Sequence, residues 1–287
     1  MKQVEFLGHK ISKLIIGDNP FTGHSYIEEQ ISGQDMLSYY TAENIKKALK
    51  RLEELGYTGM LPLADPYIVR VIREYCEAND SKLQFIWQPY MPMNQQVSMR
   101  QVGALNTIGI YHQGTTTDYN YEIGNIDYIK DNIKMYRDLG VPVGIGTHIP
   151  ELIAQAEEED WGADFYMACM QNARRNRRGE ASGFLTGKTK AHLVFYPEDR
   201  PIMLETLKHV QKPIIAFKIF AGGQMFVGKN AEERRSLIKG VYEEVFTALK
   251  PNDIAAIGVF QRDFDQLQEN ADIFNEWCRE KEQAEAL

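Results

Sequence analysis

Short runs of apolar and β-branched residues alternate with longer amphipathic stretches along almost the whole chain. The first pair is the run Leu14–Gly17 followed by Ala42–Leu55, in which apolar residues recur at helical spacing. Thr41 stands where it can cap this helix, and Gly56 stands where it can end it. The alternation predicts parallel strands joined by helices.

Seven more pairs continue the pattern. The strand-like runs are Thr58–Leu63, Leu83–Gln88, Thr107–His112, Val141–Gly146, Ala163–Cys169, Pro213–Lys218 and Ile254–Val259. The helical stretches are Pro66–Ala78, Met93–Ala104, Ile126–Leu139, Pro150–Trp161, Arg200–Val210, Ala231–Lys250 and Asp263–Cys278. Eight such units close into an α/β fold of the (β/α)8 TIM-barrel type. A doubly wound open sheet stays as the alternative, because a count of strands does not prove closure.

Two further features complete the predicted architecture. Gln3–Phe6 and Lys10–Ser12 predict an N-terminal hairpin that plugs the bottom of the barrel. The connections Asp18–Tyr40 and Met170–Asp199 are longer than the usual loop of about 2 to 6 residues, which is typical of lids and binding loops. No break in composition marks a linker, so residues 1–287 are expected to form a single TIM-barrel domain.

Composition narrows the classes of function. The chain is 44% hydrophobic and 25% charged, with a net charge of −8, which disfavours nucleic acid and anionic membranes as partners. The three cysteines are far apart and show no metal-binding or disulfide spacing. With no signal-like or membrane-spanning run, a cytoplasmic protein that binds a small molecule is expected, and an oligomer is possible.

In a TIM barrel the chemistry lies where the strands end and the following loops begin. The polar and cysteine residues at the predicted strand ends are Asp18, Asn19, Asp65, Tyr67, Gln88, His112, Gln113, Thr147, His148, Cys169, Gln171, Asn172, Lys218, Gln261 and Arg262. A purely structural barrel has no need for so polar an end, so we expect the functional site there.

His112 and His148 are the sharpest candidates in this ring. A neutral imidazole can act as general base or metal ligand, and a protonated one as general acid. With Asp18 or Asp65 the two histidines could form a divalent-metal shell, although no metal-binding spacing such as HxH supports one. Ordinary hydrogen-bonded histidines are the third interpretation.

Positive charge is the other feature of this predicted site. Lys218 ends the apolar strand IIAFK, where it could form a Schiff base, pair with Asp65 or bind an anion. Arg174 and Arg175 open the basic run Arg174–Arg178, which could clamp a phosphate or carboxylate or remain a solvated loop. No glycine-rich nucleotide-binding motif accompanies these residues.

Several segments, in this order, resemble parts of one known family. They are Phe6–Gly23 (FLGHKISKLIIGDNPFTG), Ala64–Tyr67 (ADPY), Ile110–His112, Val141–Ile149 (VPVGIGTHI), Ala216–Gly223 (AFKIFAGG) and Asp265–Asn270 (DQLQEN). Together they resemble the hairpin, strands and last helix of the aldo-keto reductases. The resemblance implies a TIM barrel, NADPH-dependent carbonyl reduction, and an Asp–Tyr–Lys–His tetrad.

The tetrad that the resemblance implies is incomplete in this chain. Tyr67 and His112 match its tyrosine and histidine, whereas the aspartate position falls near Pro62 and the lysine position on Trp87 or Gln88. Without a neighbouring cation, a tyrosine with a pKa of about 10 is a poor acid at neutral pH.

The cofactor side of the resemblance departs from the family as well. His148 stands where the family has asparagine, Lys218 interrupts the seventh-strand loop, and Phe260 replaces a glycine of the phosphate loop. Arg262 could still meet a cofactor phosphate. The sequence therefore predicts a divergent member whose barrel is kept and whose hydride chemistry is altered.

Three functional hypotheses follow. The preferred one is an enzyme with non-redox acid–base chemistry on a small polar or anionic metabolite; the alternatives are an NADPH-dependent carbonyl oxidoreductase and a non-catalytic binding or regulatory barrel. The predicted catalytic residues are His112, His148, Tyr67, Lys218 and Asp65. The predicted substrate-binding residues are Asp18, Asn19, Gln88, Gln171, Asn172, Arg174 and Arg175.

Overall fold

A closed barrel of eight parallel strands forms the centre of the molecule. The computed structural model describes residues 1–172 and 195–285. The barrel strands are β3 (Leu14–Gly17), β4 (Gly59–Leu61), β5 (Gln84–Trp87), β6 (Thr107–His112), β7 (Val143–Thr147), β8 (Phe165–Cys169), β9 (Ile214–Phe217) and β10 (Ile254–Gly258). They pair in chain order, and β10 closes the barrel against β3. The predicted TIM barrel is confirmed, and the open-sheet alternative is wrong.

Helices surround the barrel, and every predicted helix is present, although the last one, predicted to end at Cys278, continues to Glu285. They include α2 (Ala42–Glu54), α3 (Pro66–Asn79), α4 (Gln95–Val102), α6 (Ile126–Tyr136), α7 (Pro150–Glu158), α8 (Asp199–Leu207), α9 (Ala231–Ala248) and α10 (Gln266–Glu285). As predicted, Thr41 caps α2, its hydroxyl accepting the backbone N–H of Asn44. None of the helices described is long and apolar enough to cross a membrane.

Among residues 1–172 and 195–285, two α-helices in the βα connections were not predicted from the pattern. Helix α1 (Gly33–Tyr39) lies in the first connection and begins with a capping box between Ser32 and Asp35. Helix α5 (Gly114–Glu122) directly follows β6 and has the sequence GTTTDYNYE, which lacks an apolar stripe. Because local capping and tertiary contacts hold such helices, hydrophobic periodicity alone does not reveal them.

The predicted hairpin closes the lower end of the barrel. It consists of β1 (Gln3–Phe6) and β2 (His9–Ser12), which pair antiparallel. Phe6 and Ile11 are buried in the same inner cluster as barrel residues, and the Phe6 ring lies 6.1 Å from that of Phe165, at the start of β8. Gly59 begins β4 here; a Cβ on it would come within 2.4 Å of the Ile11 side chain and 2.7 Å of the Ile15 side chain, so a larger residue would force these side chains to shift.

The strand pleat decides which residues reach the upper end of the barrel interior. In β8, Phe165 and Met167 belong to the inner cluster, whereas Tyr166 and Ala168 belong to the outer core beneath the helices. Successive side chains of a strand point to opposite faces, so Cys169 continues the inner row. This upper end is where all eight strands end.

Candidate functional site

A chain of hydrogen bonds joins a carboxylate, an imidazole and an ammonium group at the upper end of the barrel. Nδ1 of His148 lies 2.8 Å from Oδ2 of Asp118, and Nε2 of the same ring lies 3.0 Å from Nζ of Lys218. Asp118 also accepts the hydroxyl of Thr147 at 2.5 Å and the backbone N–H of His148 at 3.2 Å. The buried carboxylate therefore holds both the backbone and the ring of His148 in place.

Three different elements supply these groups, and glycines bring two of them together. His148 follows β7, Asp118 lies on α5, and Lys218 follows β9. A Cβ on Gly146 would lie 3.0 Å from the His112 carbonyl oxygen and 3.2 Å from the backbone nitrogen of Gly114. The absence of side chains at Gly114 and Gly146 lets α5 approach the end of β7, which is how Asp118 reaches His148.

Cys169 also affects the protonation of the hydrogen-bonded groups Asp118, His148 and Lys218. Burial lowers the pKa of His148, but the acidic neighbours Cys169 and Asp118 outweigh it and raise that pKa to about 9. Burial raises the pKa of the Cys169 thiol, but His148 and Lys218 outweigh it, and the thiol pKa is lowered overall. Likewise, burial lowers the pKa of Lys218, while Tyr26 and Cys169 raise it above its ordinary value.

The raised pKa of His148 and the lowered pKa of Cys169 describe one proton with two possible positions. On the imidazole, the proton leaves a thiolate; on sulfur, it leaves a neutral imidazole whose Nε2 can accept a hydrogen bond. A contact of 3.0 Å between Nε2 and Nζ needs a lone pair on one of the two nitrogen atoms. The pKa directions favour the imidazolium–thiolate form. The 3.0 Å contact instead corresponds to the other form, in which charged Lys218 donates to neutral His148 and the proton lies on Cys169.

Aromatic faces surround the Lys218 ammonium group. Its Nζ lies 4.8 Å from the ring centroid of Tyr26, 5.4 Å from that of Phe195 and 5.7 Å from that of Phe217. Ring faces attract cations, most strongly where water is partly excluded. Tyr26 is held in turn by Asn19, whose side-chain amide donates to its hydroxyl at 3.1 Å.

The backbone around Lys218 is also unusual. Lys218 has a φ of 54° and Ala221 a φ of 51°, a left-handed conformation that costs non-glycine residues free energy. Gly222 follows with a φ of 58°, and a Cβ on it would lie 2.6 Å from the Tyr26 ring. Non-glycine residues held in this region cluster at functional sites, where the surrounding structure maintains the strain.

A second acid–base group lies at the same end of the barrel. Asp18 is 6% exposed, and burial raises the pKa of its carboxyl to about 7. Its Oδ2 accepts the backbone N–H of Leu63 at 2.7 Å. Nearby, the hydroxyl of the buried Tyr111 donates to Oε1 of Gln88 at 2.8 Å, and burial, followed by the neighbouring Asp18, raises the pKa of Tyr111. Asp18 therefore changes charge near neutral pH.

The structure places His112 in different surroundings from His148. Its Nδ1 lies 2.7 Å from the hydroxyl of Thr117, and its ring packs near Tyr128 and Tyr136 of α6, on the outside of the barrel. Burial lowers the pKa of His112 to about 4, so the ring is neutral at physiological pH. This placement favours a hydrogen-bonded core histidine over a partner of His148.

Asp65 and Tyr67 stand at the start of α3. Oδ1 of Asp65 accepts the backbone N–H groups of Tyr67 at 2.8 Å and Ile68 at 3.2 Å, so the carboxylate caps the helix. The Tyr67 side chain is 48% exposed. In the structure, Lys218 contacts His148, whereas Asp65 caps α3.

The remaining predicted residues are spread around the barrel. Gln171 is buried with Oε1 unpartnered among the described residues, and the backbone N–H of Asn172 donates to Asp199 at 3.0 Å. Arg262 pairs with Asp263 at 2.8 Å and Asp35 at 3.1 Å, so carboxylates already occupy its guanidinium group. Arg174 and Arg175 lie outside the described residues.

The suggested metal shell is not assembled in the described part of the chain. Across residues 1–172 and 195–285, no group of three or more His, Cys, Asp or Glu side chains is arranged to hold a metal ion. His148 uses one ring nitrogen on Asp118 and the other on Lys218, so neither is directed at a metal.

Sequence reasoning missed two members of the site. Asp118 lies on the unpredicted helix α5, and Tyr26 lies in the long first connection. An acidic residue shortly after a strand end was an available signal for Asp118. Nothing in the sequence singles out Tyr26 among 15 tyrosines.

Comparisons with known proteins support the fold. A scan against protein-family models finds no match, and a search of the curated proteins finds no significant one. Dihydropteroate synthase from Xanthomonas albilineans is similar over 97% of each chain, with a TM-score of 0.53 and 12% identity. An aldo-keto reductase from Bacillus halodurans matches 95% of this chain and 90% of its own, with a TM-score of 0.52 and 9% identity.

A third similar structure is a truncated 3-deoxy-D-arabino-heptulosonate 7-phosphate synthase from Thermotoga maritima. It matches 99% of this chain and 92% of its own, with a TM-score of 0.50 and 13% identity. At such low identity these similarities establish the TIM-barrel fold and nothing finer. The aldo-keto reductase is one of several TIM-barrel enzymes among them.

Proposed function

We propose that the protein is an enzyme that uses Asp118, His148 and Lys218 as a proton relay on the carbonyl group of a small polar or anionic metabolite. The observation that carries the proposal is the continuous chain of hydrogen bonds from the buried carboxylate to the half-buried ammonium group. It lies at the end of the barrel where enzymes of this fold hold their catalytic groups.

The relay would allow Lys218 to lose a proton near neutral pH. A lysine with an ordinary pKa of about 10.4 is almost fully protonated at neutral pH and cannot act as a base. His148 can take a proton from Nζ, and the carboxylate of Asp118 stabilises the imidazolium that forms, as in catalytic triads. Lys218 then gives a proton to a developing oxyanion, or accepts one from a carbon next to a carbonyl. Asp18 would serve as a second acid or base.

Positive charge at the site favours a substrate with negative or strongly polar groups. Lys218 presents its ammonium group among aromatic rings, which exclude water and so strengthen its attraction for an anion. The proposed substrate is therefore a small carbonyl compound that also bears a carboxylate, phosphate or hydroxyl group.

Deuterium exchange tests this proposal without knowledge of the physiological substrate. Pyruvate, dihydroxyacetone phosphate and glyceraldehyde 3-phosphate are incubated with the protein in D2O, and loss of the proton signal beside the carbonyl is followed by NMR. We expect exchange of at least one probe, slowed about 10²-fold or more in Lys218→Met and His148→Gln. Lys212→Met and His9→Gln are matched surface controls that should exchange at the wild-type rate. Equal rates in all four variants would refute the relay.

A carbonyl reductase distantly related to the aldo-keto reductases is the second candidate. The observation that favours it is the Lys218 ammonium group 4.8 Å from the centroid of the Tyr26 ring, which places a tyrosine beside a lysine, the pairing that the tetrad of that family uses. NADPH is the cofactor this candidate requires. Titration of the protein with NADPH, followed by cofactor fluorescence, tests it, and failure to bind would remove it.

A further inference from the structure

We infer that Lys218 is a nucleophile that forms a Schiff base with the carbonyl carbon of an aldehyde or ketone substrate, an inference that rests on the proposed function of this site. Lys218 would then act covalently, in addition to exchanging protons. Three independent features of its surroundings support the inference.

The first feature is the partner of Nζ. In the described part of the chain, Nζ hydrogen-bonds to a nitrogen base, Nε2 of His148, at 3.0 Å. An imidazole can remove the proton that keeps an amine from attacking a carbonyl, and Asp118 is placed to stabilise the imidazolium. The arrangement repeats the logic of a catalytic triad, with an amine in place of the hydroxyl.

The second feature is access. Lys218 is half-buried at the open end of the strands, whereas Cys169, the other nucleophile of the cluster, is only 1% exposed. The Lys218 side chain is therefore the more accessible of the two, while sulfur lies deeper in the inner row. This difference favours the amine over the thiol as the attacking group.

The third feature is the aromatic surround. Tyr26, Phe195 and Phe217 present rings within 5.7 Å of Nζ. A protonated Schiff base keeps its positive charge at the same nitrogen, so these cation–π contacts persist in the covalent intermediate. The rings also exclude water, which slows hydrolysis of the C=N bond.

The reaction balances without any oxidant or reductant. Nζ gives one proton to His148, and its lone pair attacks the carbonyl carbon as the C=O pair moves to oxygen. A second proton passes from nitrogen to that oxygen and gives a carbinolamine. The His148 imidazolium then protonates the hydroxyl, which leaves as water while the nitrogen lone pair forms the C=N bond. In sum, one ammonium and one carbonyl give one protonated imine and one water.

Reductive trapping tests the inference directly. The protein is incubated with glycolaldehyde or pyruvate and sodium cyanoborohydride, and its mass is measured intact and after tryptic digestion. We expect one adduct, heavier by the mass of the probe less one oxygen atom, on the peptide that contains Lys218. Its rate should exceed that of any other lysine at least tenfold, and Lys218→Arg should lose it while unfolding at the wild-type temperature.

Lys13 provides a matched control. Burial lowers the pKa of Lys13 to about 8, but this lysine lies at the lower end of the barrel, where its ammonium group donates to the Pro251 carbonyl at 2.6 Å. Lys13→Arg should leave the labelling of Lys218 unchanged. His148→Gln should slow labelling at least tenfold at pH 7, and the rate should recover at high pH, where hydroxide removes the proton instead.

The possible outcomes separate this inference from the proposed function. Labelling spread evenly over surface lysines, or absent from Lys218, would overturn the Schiff base. If deuterium exchange still depends on Lys218 in that case, the proton relay stands without the covalent step. Trapping at Lys218 without any exchange would support the nucleophile and refute the relay as a carbon acid–base catalyst.

Discussion

The ammonium group of Lys218 lies 3.0 Å from Nε2 of His148, and two groups that are both basic therefore share a hydrogen bond. Such a contact is stable only when one of the two nitrogen atoms lacks a proton. Asp118 decides which one, because it accepts the Nδ1 proton of the ring and leaves the Nε2 lone pair facing the lysine. This relationship is the basis of the proposed proton relay and leads to the predictions below.

Asp118→Asn should disable the relay while leaving the barrel folded. The amide can donate to Nδ1, which forces the ring proton onto Nε2, where it meets the ammonium group of Lys218. We expect deuterium exchange and reductive labelling to slow by about 10²-fold or more. Nitrogen-15 NMR of His148 should show the proton moved to Nε2. Wild-type rates with an unchanged tautomer would contradict the assigned role of Asp118.

Removing the Cys169 thiol should lower the pKa of His148. The acidic thiol is the largest contribution that raises this pKa to about 9 against burial. Cys169→Ala should therefore move the imidazole titration, followed by NMR, to lower pH. Cys278→Ala is the matched control, since it removes another buried cysteine, one placed among residues of α10. Equal titrations in the two variants would disprove the coupling.

Asp18 should make stability depend on pH in a defined direction. Its pKa is raised by burial from 3.8 to about 7, so the folded state binds a proton more tightly than the unfolded state. Stability from this group is fully present below pH 3.8 and is lost as pH rises through 7. At 1.36 kcal/mol per pKa unit, the loss at pH 8 amounts to at most about 4 kcal/mol.

Asp18→Asn isolates this effect, because the amide oxygen can still accept the N–H of Leu63. The variant should be more stable than wild type at pH 8 and nearly equal to it at pH 4, measured by urea unfolding. A stability difference that does not change between these pH values would show that the carboxyl titrates normally.

Gly222→Ala should damage the wall of the site. A Cβ at this position lies 2.6 Å from the Tyr26 ring and also demands a φ of 58° from alanine. Gly228→Ala is the matched control, with a φ of 73° but nothing within 4 Å of the added carbon. Backbone strain alone should cost each variant about 1 kcal/mol in the free energy of unfolding. Gly222→Ala should lose more, and it alone should slow labelling of Lys218 by displacing Tyr26.

Part of the site follows from the chain pattern. Alternating strands and helices imply a parallel barrel, and a parallel barrel brings all strand ends to one edge. That argument places Lys218 and His148 at the same end without any coordinates. It does not bring Asp118 to them, because α5 carries a polar sequence whose position depends on the close approach allowed by Gly114 and Gly146.

The position of His112 could not be predicted from the sequence for a different reason. His112 is the last residue of β6, and His148 comes directly after β7. Both histidines were expected to face the site. Strand β6 reads TIGIYH and is buried on both faces, so its sequence has no polar–apolar alternation from which to assign the inward side. The structure places Tyr111 in the inner cluster and His112 against α6.

The sequence by itself determined the fold class, the hairpin plug, and the end of the barrel where the polar strand-end residues gather, because these depend on periodicity and chain connectivity. Only the tertiary structure decided which side chains meet there. Hydrogen bonds such as those of His148 with Asp118 and Lys218 join residues 30 and 70 positions apart, and they depend on angstrom-scale packing of separate elements. No local pattern records that packing.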